Sequence, residues 1–386
     1  MDARAHGTEV VDTQRDDLVA LSHAIHGDAE PAFAEHVSSA RVAQMLDDAG
    51  FAVTHGTCGL DTAVVATIGS GPLQLALCAE YDALPGIGHA CGHNIIAASA
   101  VGAALALAGI VDDLGVTVRV IGTPGEEGGG GKIHLLEGGA FDGLHGAMMV
   151  HPAPMDAPAM PCLAVQQFAV SYHGRAAHAS AYPHLGINAA DALTVAQVAI
   201  GLLRQHIRTT DRIHGIVTDG GDAPNIVPAH AGGTWYVRAA TLEQLADIAP
   251  RVRQCFEAGA TATGASVAVD EPAPPYAELR ADARLTSRYV AEAEALGRRF
   301  DIADEPLHGS TDMGNVSRAM PAIHPLIGID SGGAVNHQPE FAAACVTASA
   351  DRAVRDGAVA LARTVIATAE DHALSQDLQA TSYAAS

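Results

Sequence analysis

Residues 73–107 read LQLALCAEYDALPGIGHACGHNIIAASAVGAALAL, and this stretch decides the fold. Residues 73–79 are almost wholly apolar and short, the pattern of a strand covered on both faces. Residues 94–107 are apolar, rich in alanine and free of charge, and they read as a buried helix. The turn between them carries Cys91-Gly92-His93. Glycine tolerates backbone angles that other residues resist, so thiol and imidazole can face one side there. Thiolate and imidazole are usual donors for zinc and its neighbours. Taken alone, the triplet is weak and fits a buried cysteine beside a chance histidine better.

Outward from this unit the same alternation recurs. Residues 62–68, 116–122 and 146–150 are further strand-like runs, residues 132–136 are helical, and residues 17–49 show helical spacing on either side of a polar break at 26–31. Strand, turn and helix in alternation predict an α/β sheet with helices on both faces. The texture changes near Gln167. Alternating strands at 168–173 and 232–239, helices at 186–208 and 242–262, and a strand at 265–270 make an α+β unit that ends in the proline-rich EPAPPY at 271–276. A helix at 281–296, a strand at 323–329 and a helix at 342–369 then resume the first domain. We expect a catalytic domain over 1–166 and 278–386, interrupted by a lid over 167–277 with hinges near Gln167 and Ala277.

Three more segments place donors just after a strand or in a glycine-rich turn: GTPGEEGGGG (122–131), MMVHP (148–152) and GAVNHQPEF (333–341). Loops at the carboxyl ends of parallel strands converge on one crevice. Adjacent carboxylates such as Glu126-Glu127 repel one another and are costly to bury without a cation. One can ligate a metal while the other takes a proton from water. His151 and His337 supply nitrogen donors that a shared shell would otherwise lack. In the second domain, Arg238 follows an alternating strand and can pair bidentately with a substrate carboxylate.

The formal charge of −23 excludes nucleic acid and anionic membranes as natural partners, because phosphate binders concentrate Lys and Arg. No opening basic-apolar segment and no long apolar run is visible, so a cytoplasmic protein is expected. Six scattered cysteines form no framework. Twenty histidines against 21 Lys and Arg suit metal chemistry.

The motifs EYDALPGIGHACGHN, GTPGEEGGGGK, VHPAP, GRAAHAS, PNIVP, HGSTDMGNVS and NHQPEF resemble the metal-dependent aminoacylase and carboxypeptidase superfamily. The branch is that of p-aminobenzoyl-glutamate hydrolases, auxin-conjugate hydrolases and related dipeptidases. The resemblance implies a mixed-sheet catalytic domain of the zinc-exopeptidase type with an inserted lid that forms a homodimer. It implies two divalent ions (Zn, Mn or Co) bridged by Cys91, with Glu127 and His337 on one and His93 and His151 on the other. Glu126 is then the general base, His178 polarises the scissile carbonyl, Asn225 binds substrate, and Glu80 and Asp82 support the ligands from behind. The implied reaction is hydrolysis of an amide in an N-acyl amino acid, an aminobenzoyl-glutamate-like conjugate or a small dipeptide bearing a carboxylate. Many relatives read HACGHD and RADMDALP where this chain has HACGHN and CAEYDALP, variants similar to the aminobenzoyl-glutamate and dipeptidase-like sub-branch. Two rivals stand beside this reading. One is a thiol hydrolase with Cys91 activated by His93, and the other is a metal-bearing homologue that binds without catalysis.

Overall fold

A computed structural model describes residues 2–300, 309–380 and 383. It divides into two compact units, Met1–Pro161 with Leu279–Ser386 and Cys162–Glu278. In chain order the first unit carries strands β1 (Ala52–Thr57), β2 (Leu60–Ile68), β3 (Leu73–Glu80), β4 (Val116–Thr123), β5 (Gly146–Met148) and β6 (His151–Ala153). The second carries β7 (Ala164–His173), β8 (Arg212–Asp219), β9 (His230–Ala239) and β10 (Ser266–Asp270). The returning chain adds β11 (Ala322–Ile323) and β12 (Leu326–Gly328) to the first unit.

The main sheet runs β1-β2-β4-β3-β5-β11. Pairs β4-β3, β3-β5 and β5-β11 are parallel, and β1-β2 and β2-β4 are antiparallel. The sheet is therefore mixed, as the resemblance implied. Strand β3 is buried along nearly its whole length, which explains its continuous apolar sequence. Beside it the helix His93–Ala108 is buried almost all round. Its small residues let the helix Ala348–Glu370 approach closely: a Cβ added at Gly102 would stand 2.8 Å from the Ala358 methyl and 2.8 Å from Leu18. No described helix is long and apolar enough to cross a membrane.

The second unit is a four-stranded antiparallel sheet, β10-β7-β9-β8, packed against the helices Ala189–Leu203 and Leu242–Thr263. Three details differ from the sequence reading. Gln167 lies inside β7 opposite Tyr236 rather than at a hinge, because Ala164 and Val165 already pair in the strand. The helix expected from 186 begins at Ala189, where Asn188 caps it by accepting from the amides of Ala190 and Asp191. The helix expected over 342–369 is broken into Pro339–Ala344 and Ala348–Glu370. Edge strands β1 and β8 escaped notice because both are largely exposed and show no clean alternation.

Crowding at Gly102 leads to a stability test. Gly102→Val should cost about 3 kcal/mol through overpacking of a core with no slack. By contrast Gly27, exposed in the helix Arg15–Asp28 with open space at its Cβ, should gain up to about 1 kcal/mol when changed to Ala. Urea unfolding midpoints measure both, and a Gly102→Val protein as stable as the parent contradicts the packing.

Candidate metal centre and active site

Strands β4, β3 and β5 lie side by side and parallel, so the residues that follow them gather at one sheet edge. After β3 come Tyr81, Asp82 and the turn to Cys91. After β4 comes the glycine turn with Glu126 and Glu127, and after β5 comes His151. Gly92 has φ +74 at the start of the helix His93–Ala108, and a Cβ there would meet Pro152 at 2.9 Å. Only glycine passes this point, which brings Cys91 and His93 together. His337 is itself at φ +71, a left-handed angle uncommon outside glycine, with its amide held by the Ala90 carbonyl at 2.9 Å.

Two donor groups result. Cys91, His93 and His151 form one and Cys91, Glu127 and His337 the other, the ligand atoms of each group all within 4.8 Å of one another. A third set, His93, Glu126 and Glu127, meets the same limit. His337 Nε2 lies 3.7 Å from Glu127 Oε1, and His93 Nε2 lies 3.4 Å from Glu80 Oε2 and 4.0 Å from Glu126 Oε2. His93 Nε2, Glu80 Oε2 and Glu127 Oε1 are buried without a hydrogen-bond partner, a state that costs about 1–3 kcal/mol per group. Nitrogen and oxygen atoms left unsatisfied beside a thiol fit divalent transition ions.

Neighbouring groups hold these donors. Asp82 Oδ1 lies 2.9 Å from His93 Nδ1, and its Oδ2 accepts from the Glu127 amide at 2.8 Å. His151 Nδ1 lies 2.9 Å from the Pro152 carbonyl, and burial brings this imidazole down to about 3, so it stays neutral and able to ligate. Burial pushes the Cys91 thiol well above its ordinary range, with Glu127 adding to the effect. That environment suits a thiol ionised by a cation and not a free nucleophile. Burial, then Glu80, Glu127 and Asp312, push Glu126 well above the usual carboxylate range against the pull of Lys132.

The sequence reading missed Lys132, although it is the only lysine of 386 residues. It is fully buried, and its Nζ donates to Glu80 Oε1 at 2.5 Å and Asp312 Oδ1 at 2.6 Å. A composition that otherwise uses arginine for every cation was the available signal. His324 was also missed. It is fully buried, its ring centroid 5.2 Å from that of His151. His308, which opens the HGSTDMGNVS motif, lies outside the described residues.

In the second unit His178 and Asn225 come together: His178 bridges to Ile226, and the Ala179 amide donates to the Asn225 carbonyl at 3.0 Å. Both lie near the end of the sheet where His173 pairs with His230. Arg238 is at the other end, opposite Val165, where its Nε lies 3.3 Å from His214 Nε2 and its guanidinium 5.7 Å from the Tyr236 ring centroid. Eight strand residues separate the two ends, roughly 26 Å. Arg238 therefore does not join His178 and Asn225 within one chain.

Removing the buried lysine isolates its effect. Lys132→Met leaves Glu80 and Asp312 buried without their cation and should cost about 3–5 kcal/mol. Guanidinium unfolding reads this directly, and a variant within about 1 kcal/mol of the parent would refute the compensating role.

The sequence matches the model of peptidase family M20/M25/M40 over residues 76–366. It is 38% identical over 381 residues to the Xaa-Arg dipeptidase of Mus musculus, covering 94% of this chain and 88% of that protein. To a p-aminobenzoyl-glutamate hydrolase polypeptide of Escherichia coli (strain K12) it is 33% identical over 280 residues, 67% of this chain and 58% of the relative. A solved dinuclear metal-binding peptidase of the M20 family from Bacillus subtilis superposes with a TM-score of 0.69 at 21% identity, over 93% of this chain and 99% of that one, a likeness of fold. These matches bear out the resemblance seen in the motifs, and they make the protein a metal-dependent hydrolase of C–N bonds. Because the family match runs from within β3 into the helix Ala348–Glu370 and takes in both donor groups, the chain belongs to peptidase family M20/M25/M40.

Proposed function

We propose that this protein is a dipeptidase that cuts the amide bond beside a free carboxylate. The observation that carries the reading is the shared thiol: Cys91 belongs to both donor groups, so one soft ligand would serve both cations. In this reading Glu127 and His337 hold one ion, and His93 and His151 hold the other. Zinc, manganese and cobalt all accept such donors. When bound, the ions polarise the scissile carbonyl and lower the pKa of water from ~15.7 towards ~7. Glu126 takes the water proton on its carboxylate and delivers it to the leaving nitrogen. His178 Nδ1 faces the backbone amides of Ser180 and Ala181, each at 3.3 Å, which leaves the proton on Nε2. That N–H is the donor we assign to the carbonyl oxygen as charge develops there.

Of the two relatives above, the one with the higher identity and coverage is a dipeptidase, and the net charge of −23 draws cationic substrates towards the molecule. Dipeptides with a basic carboxyl-terminal residue are therefore the first candidates, ahead of aminobenzoyl-glutamate and N-acyl amino acids. Asn225 binds the substrate in this reading. A dipeptide spans only about 7 Å. If Arg238 takes its carboxylate while His178 and Asn225 take the amide, the two sets come from different protomers. Support for a dimer through the second unit comes from its surface. Strand β8 is an exposed sheet edge with Ile216 and Val217 uncovered, and the helix Ala189–Leu203 exposes Val198 and Leu202. The six free cysteines fit a reducing compartment such as the cytoplasm.

Chelation should abolish turnover, and zinc, manganese or cobalt should restore it. Glu126→Gln should lose ~10²–10⁴ in kcat with metal content kept, whereas Glu127→Gln should lose metal. Metal loss in the first and retention in the second would mean the two roles are reversed. A panel of dipeptides, N-acyl amino acids and aminobenzoyl-glutamate ranks the substrates by kcat/KM.

Mixing protomers tests the dimer. His178→Ala and Glu126→Gln chains, each inactive alone, should recover activity on mixing if His178 serves the partner's site. No recovery despite demonstrated exchange of protomers removes that role.

A further inference from the structure

Two side chains outside the donor groups reach the turn that carries Glu126 and Glu127. Glu35 is fully buried, and its Oε1 accepts from the Gly125 amide at 2.9 Å and from the Phe33 amide at 2.8 Å. Its Oε2 accepts from the Thr62 hydroxyl at 2.7 Å. One carboxylate thus ties the glycine turn, strand β2 and the segment ahead of the helix His36–Asp48. Phe33 sits at φ +61, a left-handed angle that is an outlier for a bulky side chain and persists only where the surroundings enforce it. They do so here. The Ala83 amide donates to the Glu30 carbonyl at 2.8 Å, and the Glu30 carboxylate accepts from the amides of Val37 and Ser38.

The enforced angle lays the Phe33 ring on the glycine turn. A Cβ at Gly125 would come within 2.7 Å of the ring, and one at Gly129 within 2.3 Å. Yet Phe33 remains 38% exposed, so burial of the ring does not account for the strain. From within, Asp82 holds the Glu127 amide at 2.8 Å. The turn is therefore gripped on both flanks of Glu126.

We propose that Phe33, anchored by Glu35, is a positioning residue that clamps the turn at residues 125–131 so that Glu126 is held at the reacting bond. This rests on the reading of Glu126 as general base. In this proposal the ring acts through the turn and not as a ligand.

Phe33→Gly is the informative variant, because glycine accepts φ +61 without strain and the fold should survive. In the metal-free protein, amides 128, 129 and 131, which donate within the turn, should exchange about tenfold faster. In the metal-loaded protein, kcat should fall roughly tenfold or more with KM within about twofold, and metal content should be unchanged. Phe33→Tyr should restore parental behaviour. Unchanged exchange overturns the clamp whatever Glu126 does, since that readout needs neither metal nor turnover. Faster exchange with parental kcat overturns the positioning role, provided Glu126→Gln has abolished turnover. An active Glu126→Gln enzyme instead overturns the general-base assignment. Metal loss in step with kcat also overturns the proposal, because the ring would then serve Glu127 as a ligand.

Discussion

Glu80, Asp82, Glu126 and Asp312 are buried at one edge of one sheet, and so much like charge is unfavourable in a low-dielectric interior unless cations or donors answer it. The rest of the first unit is arranged around that constraint. Lys132 answers Glu80 and Asp312, and its own amide also donates to Asp312 Oδ2 at 2.9 Å. Asp82 is answered by His93 and by the Glu127 amide. A compact ammonium suits the first position better than a guanidinium, whose five donors in a rigid fork would need more acceptors than two carboxylate oxygens. The unanswered atoms, Glu80 Oε2, His93 Nε2 and Glu127 Oε1, lie in or beside the donor groups. Protein groups satisfy Asp82, Lys132 and Asp312, whereas one oxygen of Glu80 shares the unmet need of the candidate donors.

Asp82 couples the two halves of the centre. One carboxylate orients the His93 ring and fixes the backbone of Glu127, so a donor of each group depends on the same residue. Hydrogen bonds of this kind set the direction of a ligand as much as its identity does. Glu35 repeats the device one layer out, between strand β2 and the glycine turn. The acid-rich turn is thus held by other acids through its amides.

The second unit is built on different terms. Its sheet covers one face with two helices and leaves the other face open, and its core contains none of the buried ion pairs described above. His178 and Asn225 meet because an irregular segment on each side of the sheet end is bridged backbone to backbone. Antiparallel pairing spaces residues along a strand rigidly, so Arg238 is far from them by construction.

The sequence by itself determined the α/β alternation, the buried strand and helix around Cys91 and His93, and the family. Those features depend on local periodicity and on motifs in which each donor sits at a strand end. It also carried the donors Glu126, Glu127, His151 and His337, because a loop after a parallel strand has only one edge to go to. The sharing of Cys91 by both donor groups was implied by the resemblance, and it takes the convergence of four separate segments to bring it about. Tertiary structure alone revealed Lys132 between Glu80 and Asp312, residues 52 and 180 positions away, and the Phe33 ring on the glycine turn. It also separated Arg238 from Asn225, which stand only 13 positions apart in the chain but at opposite ends of a sheet. Sequence distance records the path of the backbone, whereas charge compensation and close packing act between groups that only folding brings within reach.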